Sequence, residues 1–123
     1  MKRVLIADDE PAIAMSIEFL MRRSGFDTRV ARDGEDALAK AITFRPQLVL
    51  LDLMLPRLSG LDVCRALRRS PGLEALKVIM LTAKGGAGEH QRGIAAGADA
   101  YLVKPFSTQE LVAQVRGMLG VGA

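Results

Sequence analysis

Short apolar runs alternate along this chain with longer segments in which apolar residues recur at helical spacing. The runs predict β-strands, and the longer segments predict amphipathic helices. Several runs are continuously apolar, which is typical of parallel strands that are covered by helices on both faces. The predicted strands are Arg3 to Ala7, Thr28 to Ala31, Gln47 to Leu51, Lys77 to Leu81 and Ala100 to Val103, with the first, third and fourth at the centre of the sheet.

Start and stop signals place the helices between these strands. A proline near its beginning and a glycine after its end mark the first helix, and a serine cap followed by Glu110 marks the last. The predicted helices are Pro11 to Ser24, Gly34 to Phe44, Gly60 to Arg69, and a last helix that opens at Ser107 and carries Leu119 on its buried side. This alternation predicts a doubly wound α/β fold.

The helix between the fourth and fifth strands is predicted to be weak. The glycine-rich segment Gly85 to Gly88 precedes it, and Gly93 and Gly97 fall within it or at its end. Each interior glycine costs about 1 kcal/mol relative to alanine. A mobile connection after the fourth strand is therefore expected.

The composition fits one globular domain over residues 1–123, with 50% hydrophobic and 25% charged residues. The chain shows no signal-peptide pattern and no apolar run of membrane-spanning length, so we expect a cytoplasmic location and no membrane partner. The single cysteine, Cys64, lies in an apolar helical pattern, and we expect it to pack in the core rather than to bind metal.

The formal charge of +3 is slightly basic, a property that many nucleic-acid-binding domains share. The basic residues are scattered, however, and the densest group, Arg65, Arg68 and Arg69, has the spacing of one solvated helix face. The aromatic content of 4% also provides few side chains for base stacking. We therefore expect no direct nucleic-acid binding by this domain.

Polar side chains end the predicted strands. The first strand is followed by Asp8 and Asp9, the third by Asp52, the fourth by Thr82 and the fifth by Lys104. In an open parallel α/β sheet, ligands bind beyond the carboxyl ends of the strands. We therefore expect three carboxylates, a hydroxyl and an ammonium group to meet in one small crevice.

This combination predicts metal-assisted phosphoryl transfer. Clustered carboxylates repel one another unless a cation is present, and all-oxygen ligands favour Mg²⁺ or a similar hard ion such as Mn²⁺. Beside such an ion, the carboxylate of Asp52 can attack a phosphoryl group and form an aspartyl phosphate. The Thr82 hydroxyl, the Ala83 backbone N–H and the Lys104 ammonium group would hold the phosphoryl oxygens.

Several motifs together resemble the receiver domain of bacterial two-component response regulators, the CheY-like superfamily. Their order and spacing match that family over nearly the whole chain. The motifs are Asp8-Asp9-Glu10-Pro11, Asp52 within Leu-Val-Leu-Leu-Asp-Leu-Met-Leu-Pro, Gly60, Leu-Thr-Ala-Lys, Ala-Gly-Ala-Asp and Lys104-Pro105-Phe106-Ser107. The resemblance implies a flavodoxin-like (βα)5 fold with a five-stranded parallel sheet in the order 2-1-3-4-5.

The resemblance also implies roles for the acids of the crevice. Asp8 and Asp9 match the acids of the family's metal site, and Asp52 matches the phosphorylated residue, which is also a metal ligand. The backbone carbonyl of Met54 matches a further ligand. These positions are therefore the expected ligands of Mg²⁺.

Three further positions are expected to respond to the phosphoryl group. Thr82 and Lys104 match the family's phosphoryl-binding residues, and Tyr101 matches an aromatic residue that rotates together with Thr82. The family usually has a cis peptide bond where this chain has Lys104-Pro105, so we expect a cis bond here. Phosphorylation is then expected to remodel Gly85 to Gly88. It is also expected to change the face formed by the weak helix before the fifth strand, by the fifth strand itself and by the last helix.

The implied function is a phosphorylation-controlled switch. A histidine kinase or a histidine phosphotransfer protein would supply the phosphoryl group, and an unknown downstream protein would receive the signal. The chain would not be an enzyme beyond its self-catalysed phosphorylation and slow autodephosphorylation. The only histidine, His90, has polar neighbours, and we expect it to be exposed rather than to act as a phosphodonor.

Two other functions use similar residues or a similar fold. A haloacid-dehalogenase-like phosphatase also combines an aspartate nucleophile with Thr, Lys and Mg²⁺. It needs an acid two residues after the nucleophile, however, where Met54 cannot transfer a proton. A flavodoxin-like electron carrier is disfavoured because the acidic crevice would repel a flavin phosphate and because the chain has no tryptophan for stacking.

The sequence also suggests how the signal leaves the domain. DNA-binding relatives usually dimerise through charged residues, and Ala100 and Gln114 stand where such relatives usually have an Asp and an Arg. His90 likewise stands where those relatives tend to have an Arg that faces an acid, here Glu110. We therefore expect a stand-alone receiver or one with an output that does not bind DNA.

Overall fold

The computed structural model describes residues 2–83, 92 and 94–121. The strands are β1 (Arg3–Ala7), β2 (Asp27–Ala31), β3 (Leu48–Asp52), β4 (Lys77–Ala83) and β5 (Ala100–Lys104). The helices are α1 (Pro11–Arg23), α2 (Gly34–Phe44), α3 (Gly60–Arg69) and α4 (Thr108–Leu119). Within these ranges, no helix has the length and apolar character that crossing a bilayer requires.

The strands form one sheet in which every neighbouring pair is parallel. The order is β2-β1-β3-β4-β5, which confirms the predicted flavodoxin-like topology and places β1, β3 and β4 at the centre. In the register, Ile6 of β1 lies opposite both Val30 of β2 and Leu50 of β3. The parallel arrangement brings the carboxyl ends of the central strands to one edge of the sheet.

Side chains from the two faces of the sheet pack into two hydrophobic layers. One layer joins the sheet to α2 and α3, and the other joins it to α1 and α4. Alternate residues of β3 enter different layers, Val49 and Leu51 on one side and Leu48 and Leu50 on the other, and all four are fully buried. Burial of each such side chain contributes about 2 kcal/mol, which explains why β3 is continuously apolar.

Side chains cap three of these helices at their amino ends. Asp33 accepts the Asp36 N–H at 2.7 Å at the start of α2, and Ser59 accepts a backbone N–H of α3 at 3.2 Å. Ser107 and Glu110 form a reciprocal capping box before α4, as the sequence pattern predicts. The caps fix where α2 and α3 begin relative to the loops before them.

Three strands extend further than the apolar pattern predicts. The apolar runs of β3, β4 and β5 stop before Asp52, Thr82 and Lys104, whereas the structure includes these residues in the strands. The reason is backbone pairing, because Asp52 lies opposite Leu81 and Lys104 lies opposite Ala83. Hydropathy reflects the burial of side chains and does not detect the last hydrogen-bonded residues of a strand.

The predicted bounds of β1, α2 and α3 match the structure, and three other boundaries differ by one residue. β2 begins at Asp27 rather than at the next residue, and β3 begins at Leu48 rather than at Gln47. α1 ends at Arg23, and Ser24 is its C-cap, with an N–H that donates to carbonyls of the last turn. Boundaries of this kind depend on terminal hydrogen bonds rather than on apolar periodicity.

Part of the predicted weak helix lies outside the described residues. This applies to residues 84–91, which include Gly85 to Gly88 and His90, and to Gly93. Arg92 and residues 94–96 are helical, and Gly97 has a φ of 105°. A glycine adopts this left-handed conformation without steric cost, which suits the end of a helix.

The single cysteine packs in the core. Cys64 is fully buried in the layer formed with α2 and α3, as predicted. Burial raises the pKa of its thiol above the ordinary value, since the thiolate is poorly solvated there. The thiol is therefore protonated at neutral pH.

One arginine joins α3 to the amino ends of β4 and β5. The Arg68 guanidinium donates to the carbonyls of Gly97 and Leu76 and lies 2.6 Å from a carboxylate oxygen of Asp99. The same oxygen accepts the Val78 N–H at 2.7 Å. Only 22% of the Arg68 side chain is exposed. The network thus satisfies polar backbone groups where three segments meet.

We predict that Arg68→Ala lowers the free energy of unfolding by about 2 kcal/mol, because part-buried acceptors lose a charged donor. Arg69→Ala is the control, since Arg69 is the next residue and is exposed. Urea unfolding followed by circular dichroism measures both values. Equal stability of the two variants would contradict a structural role for the network.

Candidate functional site

Backbone hydrogen bonds hold two acidic positions at the carboxyl edge of the sheet. The Asp8 N–H donates to the Ala31 carbonyl at 3.0 Å, so the pairing of β1 with β2 continues one residue beyond β1. The N–H of Leu53, directly after Asp52, donates to the Leu81 carbonyl at 3.0 Å. Both carboxylates therefore extend from backbone that the sheet holds in place.

Three carboxylates form the centre of the site. Oxygen atoms of Asp8, Asp9 and Asp52 all lie within 4.8 Å of one another. Asp8 is fully buried and Asp52 is 5% exposed, whereas Asp9 is exposed. Two of the acids thus lie deep in the crevice, and the third lies at its opening.

Lys104 brings positive charge to these acids. Its ammonium nitrogen lies 3.4 Å from an oxygen of Asp8 and 3.4 Å from an oxygen of Asp52. Burial alone would lower the pKa of this ammonium group, but the carboxylates of Asp52 and Asp8 outweigh burial and raise the pKa. Lys104 is therefore protonated at neutral pH.

Burial also changes the ionisation of Asp8. Removal from water raises the pKa of its carboxyl group, and the charge of Asp52 acts in the same direction. The Glu10 N–H, which donates to Asp8 at 3.0 Å, and Lys104 both act in the opposite direction without cancelling the shift. The Asp8 carboxylate is thus less stable here than in water.

The charge balance of the crevice fits a divalent cation. Among the described residues, the Lys104 ammonium group lies beside two of the three carboxylates, and a bound cation would relieve the repulsion that remains. The ligand atoms are all oxygens, which is the donor set that Mg²⁺ and similar hard ions prefer. The cluster of Asp8, Asp9 and Asp52 can therefore hold such an ion.

The remaining residues predicted for the crevice lie around these carboxylates. Thr82 is 2% exposed near the end of β4, beside β3, and Ala83 is the last residue of that strand. Met54 is 72% exposed, and its backbone N–H donates to a carboxylate oxygen of Asp52 at 3.0 Å. The Met54 backbone is therefore adjacent to the acids, while its side chain faces solvent.

Tyr101 lies on β5, three residues before Lys104. Its hydroxyl accepts the Ile94 N–H at 3.0 Å, and its carbonyl accepts the side-chain amide of Gln114 at 3.4 Å. The ring is half-buried against the layer formed with α2 and α3. The Lys104-Pro105 peptide bond at the end of β5 is cis, the isomer expected from the sequence. β5 thus links the crevice to α4 and to the segment before the strand.

Sequence reasoning missed the contacts of two glycines near the site. A Cβ atom on Gly60 would lie 2.4 Å from the Asp52 carbonyl oxygen, and one on Gly34 would lie 2.4 Å from Leu58. Each glycine follows a capping residue at the start of a helix. That signal predicts where the helix begins, but it does not show which backbone the helix contacts.

Comparison with known proteins finds a family and curated relatives. Residues 4–116 match the family model described as response regulator receiver domain. The chain is 47% identical over 118 residues to the DNA-binding response regulator MtrA of Mycolicibacterium smegmatis, which covers 96% of this chain and 50% of that protein. It is 42% identical over 117 residues to the phosphate regulon transcriptional regulatory protein PhoB of Rhizobium meliloti, and this match covers 95% of this chain and 52% of PhoB. The chain spans about half the length of these relatives.

Solved structures give the same picture of the fold. The Vibrio cholerae chemotaxis protein CheY4 has a TM-score of 0.91 at 30% identity and covers 96% of this chain and 98% of its own. The receiver domain of the sensor histidine kinase PA1611 from Pseudomonas aeruginosa PAO1 has a TM-score of 0.90 at 29% identity. This match covers 97% of this chain and 98% of that receiver domain. That structure has a magnesium ion coordinated in its active site cleft.

The prediction that excluded nucleic acid as a partner is wrong. A relative at 47% identity is named a DNA-binding response regulator, and it is about twice as long as this chain. The missing charges at Ala100 and Gln114 are a weak argument, because exposed ion pairs contribute only about 0 to 1 kcal/mol each. Gln114 instead donates to the Tyr101 carbonyl, and Glu110 belongs to the capping box of α4. His90 lies outside the described residues. The charge of one domain also does not report DNA binding by another part of a longer protein.

We predict that Asp8→Asn stabilises the protein in the absence of metal. The folded-state pKa of Asp8 is raised, so its stabilising contribution is complete below pH 3.8 and is lost as pH rises through the folded-state pKa. The asparagine amide does not titrate, and the advantage of the variant should therefore grow between about pH 4 and pH 7. Urea unfolding with a chelator measures this difference.

The control for this experiment is Asp27→Asn, at the opposite end of the sheet, where the carboxylate is 44% exposed. We expect no comparable gain in stability from this change. A wild type as stable as Asp8→Asn at neutral pH would show that the buried carboxylate is not destabilising.

Proposed function

This chain belongs to the response regulator receiver domain family, and on that basis we propose that phosphorylation of Asp52, in a Mg²⁺-dependent reaction, switches it. The observation that carries the proposal is the convergence of three carboxylates and one ammonium group in a single crevice. Asp8 has no exposed surface, whereas Asp52 is slightly exposed. Of the two buried acids, Asp52 is thus the one that an incoming phosphoryl group can reach.

The family match confirms the predicted receiver function, and it gives no support to the haloacid-dehalogenase alternative. The residue two positions after Asp52 agrees with this outcome, because Met54 has no proton to transfer to a leaving group. The proposed chemistry is therefore modification of the chain itself rather than turnover of a small phosphate ester.

The transfer itself requires few groups from the chain. A carboxylate oxygen of Asp52 forms a bond to phosphorus as the bond from phosphorus to the donor nitrogen breaks. The donor is a phosphohistidine of a histidine kinase or a phosphotransfer protein, and the leaving imidazole takes up a proton. The Met54 N–H, 3.0 Å from the Asp52 carboxylate, keeps the nucleophile oriented. Slow autodephosphorylation is attack by water on the same phosphorus.

Asp8, Asp9, Asp52 and the Met54 carbonyl are the proposed ligands of the metal. Bound Mg²⁺ supplies charge neutralisation for the phosphoryl group while Asp52 attacks. The three acids fit this ion because their oxygens already lie within 4.8 Å of one another. The exposed position of Asp9 leaves the outer side of the site open to water, and Mg²⁺ usually keeps several water ligands.

Lys104, Thr82 and the Ala83 backbone N–H are proposed to bind the phosphoryl oxygens. The Lys104 ammonium group lies 3.4 Å from each of two acids, which is long for a charge-assisted hydrogen bond, so it can re-pair with a phosphoryl oxygen. Movement of Thr82 toward the phosphoryl group is proposed to accompany rotation of Tyr101. Such a rotation would break the Tyr101 hydrogen bond to the Ile94 N–H and change the face around β5.

The output and the location of the protein also belong to the proposal. MtrA is named a DNA-binding response regulator and contains a region that matches this chain. We propose that this receiver likewise controls DNA binding within a longer regulator. A cytoplasmic location follows from that role, because a soluble receiver must reach both its kinase and DNA.

We predict that wild type incubated with Mg²⁺ and acetyl phosphate gains the mass of one phosphoryl group, whereas Asp52→Asn gains none. An amide nitrogen does not attack phosphorus as a carboxylate does. Intact-protein mass spectrometry measures the gain, and Asp27→Asn, far from the crevice, should label like wild type. Equal labelling of wild type and Asp52→Asn would remove Asp52 from the reaction.

We also predict that Asp9→Ala weakens Mg²⁺ binding roughly tenfold or more, because the site loses a ligand and part of its negative charge. Asp9 is exposed, so the fold should tolerate the change. Isothermal titration calorimetry measures the affinity, and Glu10→Ala is the control because Glu10 is exposed and adjacent but lies outside the carboxylate cluster. An unchanged affinity for Asp9→Ala would rule out this ligand.

A further inference from the structure

We infer that the amino end of α2 positions the loop that carries the Met54 carbonyl and thereby sets the affinity of the site for Mg²⁺. This loop, residues 53–59, is the acceptor loop. The inference rests on the proposed function, because it treats Met54 as a metal ligand. It gives positioning roles to Gly34 and Arg57, which lie outside the carboxylate cluster.

The acceptor loop is closed at its base and packed along one side. The Gly60 N–H donates to the Leu53 carbonyl at 2.9 Å, which joins the first residue of the loop to the start of α3. Leu53 and Leu55 are each 7% exposed and pack in the core, while the Met54 side chain between them faces solvent. The Met54 carbonyl therefore lies between two residues that the core holds in place.

Gly34, the first residue of α2, contacts residues 56–58, which form the apex of the acceptor loop. Its N–H donates to the Pro56 carbonyl at 3.1 Å. A Cβ atom on Gly34 would lie 2.4 Å from both the Cβ atom and the carbonyl oxygen of Leu58. Because these contacts involve backbone, an alanine at position 34 must push the apex away from α2. Pro56 follows Leu55 directly, so this displacement reaches the Met54 carbonyl.

Arg57 ties the same apex to α2 through charge. Its φ of 72° lies in the left-handed region that favours glycine. Its guanidinium lies 3.6 Å from Asp33 and 3.3 Å from Glu35, the residues on either side of Gly34. Arg57 and Glu35 are largely exposed, so each ion pair contributes little to stability by itself and reinforces the Gly34 contact rather than replacing it. The glycine contact and the ion pairs thus hold one apex against one helix end.

The test measures Mg²⁺ affinity by isothermal titration calorimetry. Gly34→Ala should bind Mg²⁺ about tenfold more weakly than wild type, as is typical when an outer-shell support of a metal ligand is lost. Gly117→Ala is the matched control, because Gly117 lies within α4 and an added Cβ atom there would meet nothing within 4 Å. We expect its Mg²⁺ affinity to equal that of wild type.

Two further measurements separate positioning from stability. The free energy of unfolding without metal reports any general loss of structure, and the Met54 amide resonance reports the local position of the loop. A purely structural role for Gly34 would lower stability and leave the Mg²⁺ affinity of the folded protein unchanged. A positioning role shifts the Met54 resonance together with the affinity.

Arg57→Gln tests the charged contacts and decides the question if Gly34→Ala does not fold. It should weaken Mg²⁺ binding about twofold relative to wild type at low salt, and this ratio should approach one at high salt. Arg65→Gln is its control, since the ion pair of Arg65 with Asp62, at 3.5 Å, lies within α3. We expect no change in affinity for this control at either salt concentration.

The outcomes distinguish the inference from the proposed function. Weaker Mg²⁺ binding in Gly34→Ala and Arg57→Gln, and in neither control, supports the inference. Equal affinity in wild type, Gly34→Ala and Arg57→Gln would overturn it and leave the proposed function standing. Absence of Mg²⁺ binding by wild type and by Gly117→Ala would overturn the proposed function, and the inference with it.

Discussion

Repulsion among the carboxylates of Asp8, Asp9 and Asp52 is the interaction on which the rest of this structure depends. Their oxygens lie within 4.8 Å of one another, and two of the acids are almost completely buried. Such a cluster opposes folding, so the surrounding structure must hold it together. The central strands do this, because their side chains are buried in two apolar layers and their hydrogen-bonded ladders continue up to the acids. Lys104 offsets only part of the repulsion, and the remainder favours binding of a divalent cation at the three acids.

The two sides of the crevice are held to different degrees. On one side, the loop after Asp52 is anchored by the Gly60 contact, by buried leucines and by the start of α2. On the other side, Lys104 lies on β5, which within the described part of the chain is an edge strand that pairs with β4. The amino end of β5 is secured by the Arg68 network, while its carboxyl end carries Lys104, which is proposed to bind a phosphoryl oxygen. The proposed phosphorylation of Asp52 would therefore act on Lys104 and on the strand that also carries Tyr101.

The failed exclusion of DNA as a partner illustrates a limit of arguments from surface charge. Two uncharged residues on one face, Ala100 and Gln114, do not decide the output of the whole protein. Exposed ion pairs are too weak for that purpose, and the relatives extend well beyond the region that this chain matches. The crevice supported a stronger argument because several polar residues, each at the end of its own buried strand, had to be explained together.

The sequence by itself determined the order of strands and helices along the chain, the capping box at Ser107, and the polar residues that meet in the crevice. These follow from apolar runs and capping residues whose effects extend over a few neighbouring positions. Only the tertiary structure decided that β3, β4 and β5 include their polar ends, that Gly34 meets Leu58, and that Arg68 reaches Asp99 across 31 residues. The reason is physical: a strand end depends on the carbonyls and N–H groups of its partner strand, and a close backbone contact depends on how two elements pack. Neither property is encoded in the residues on either side of the position itself.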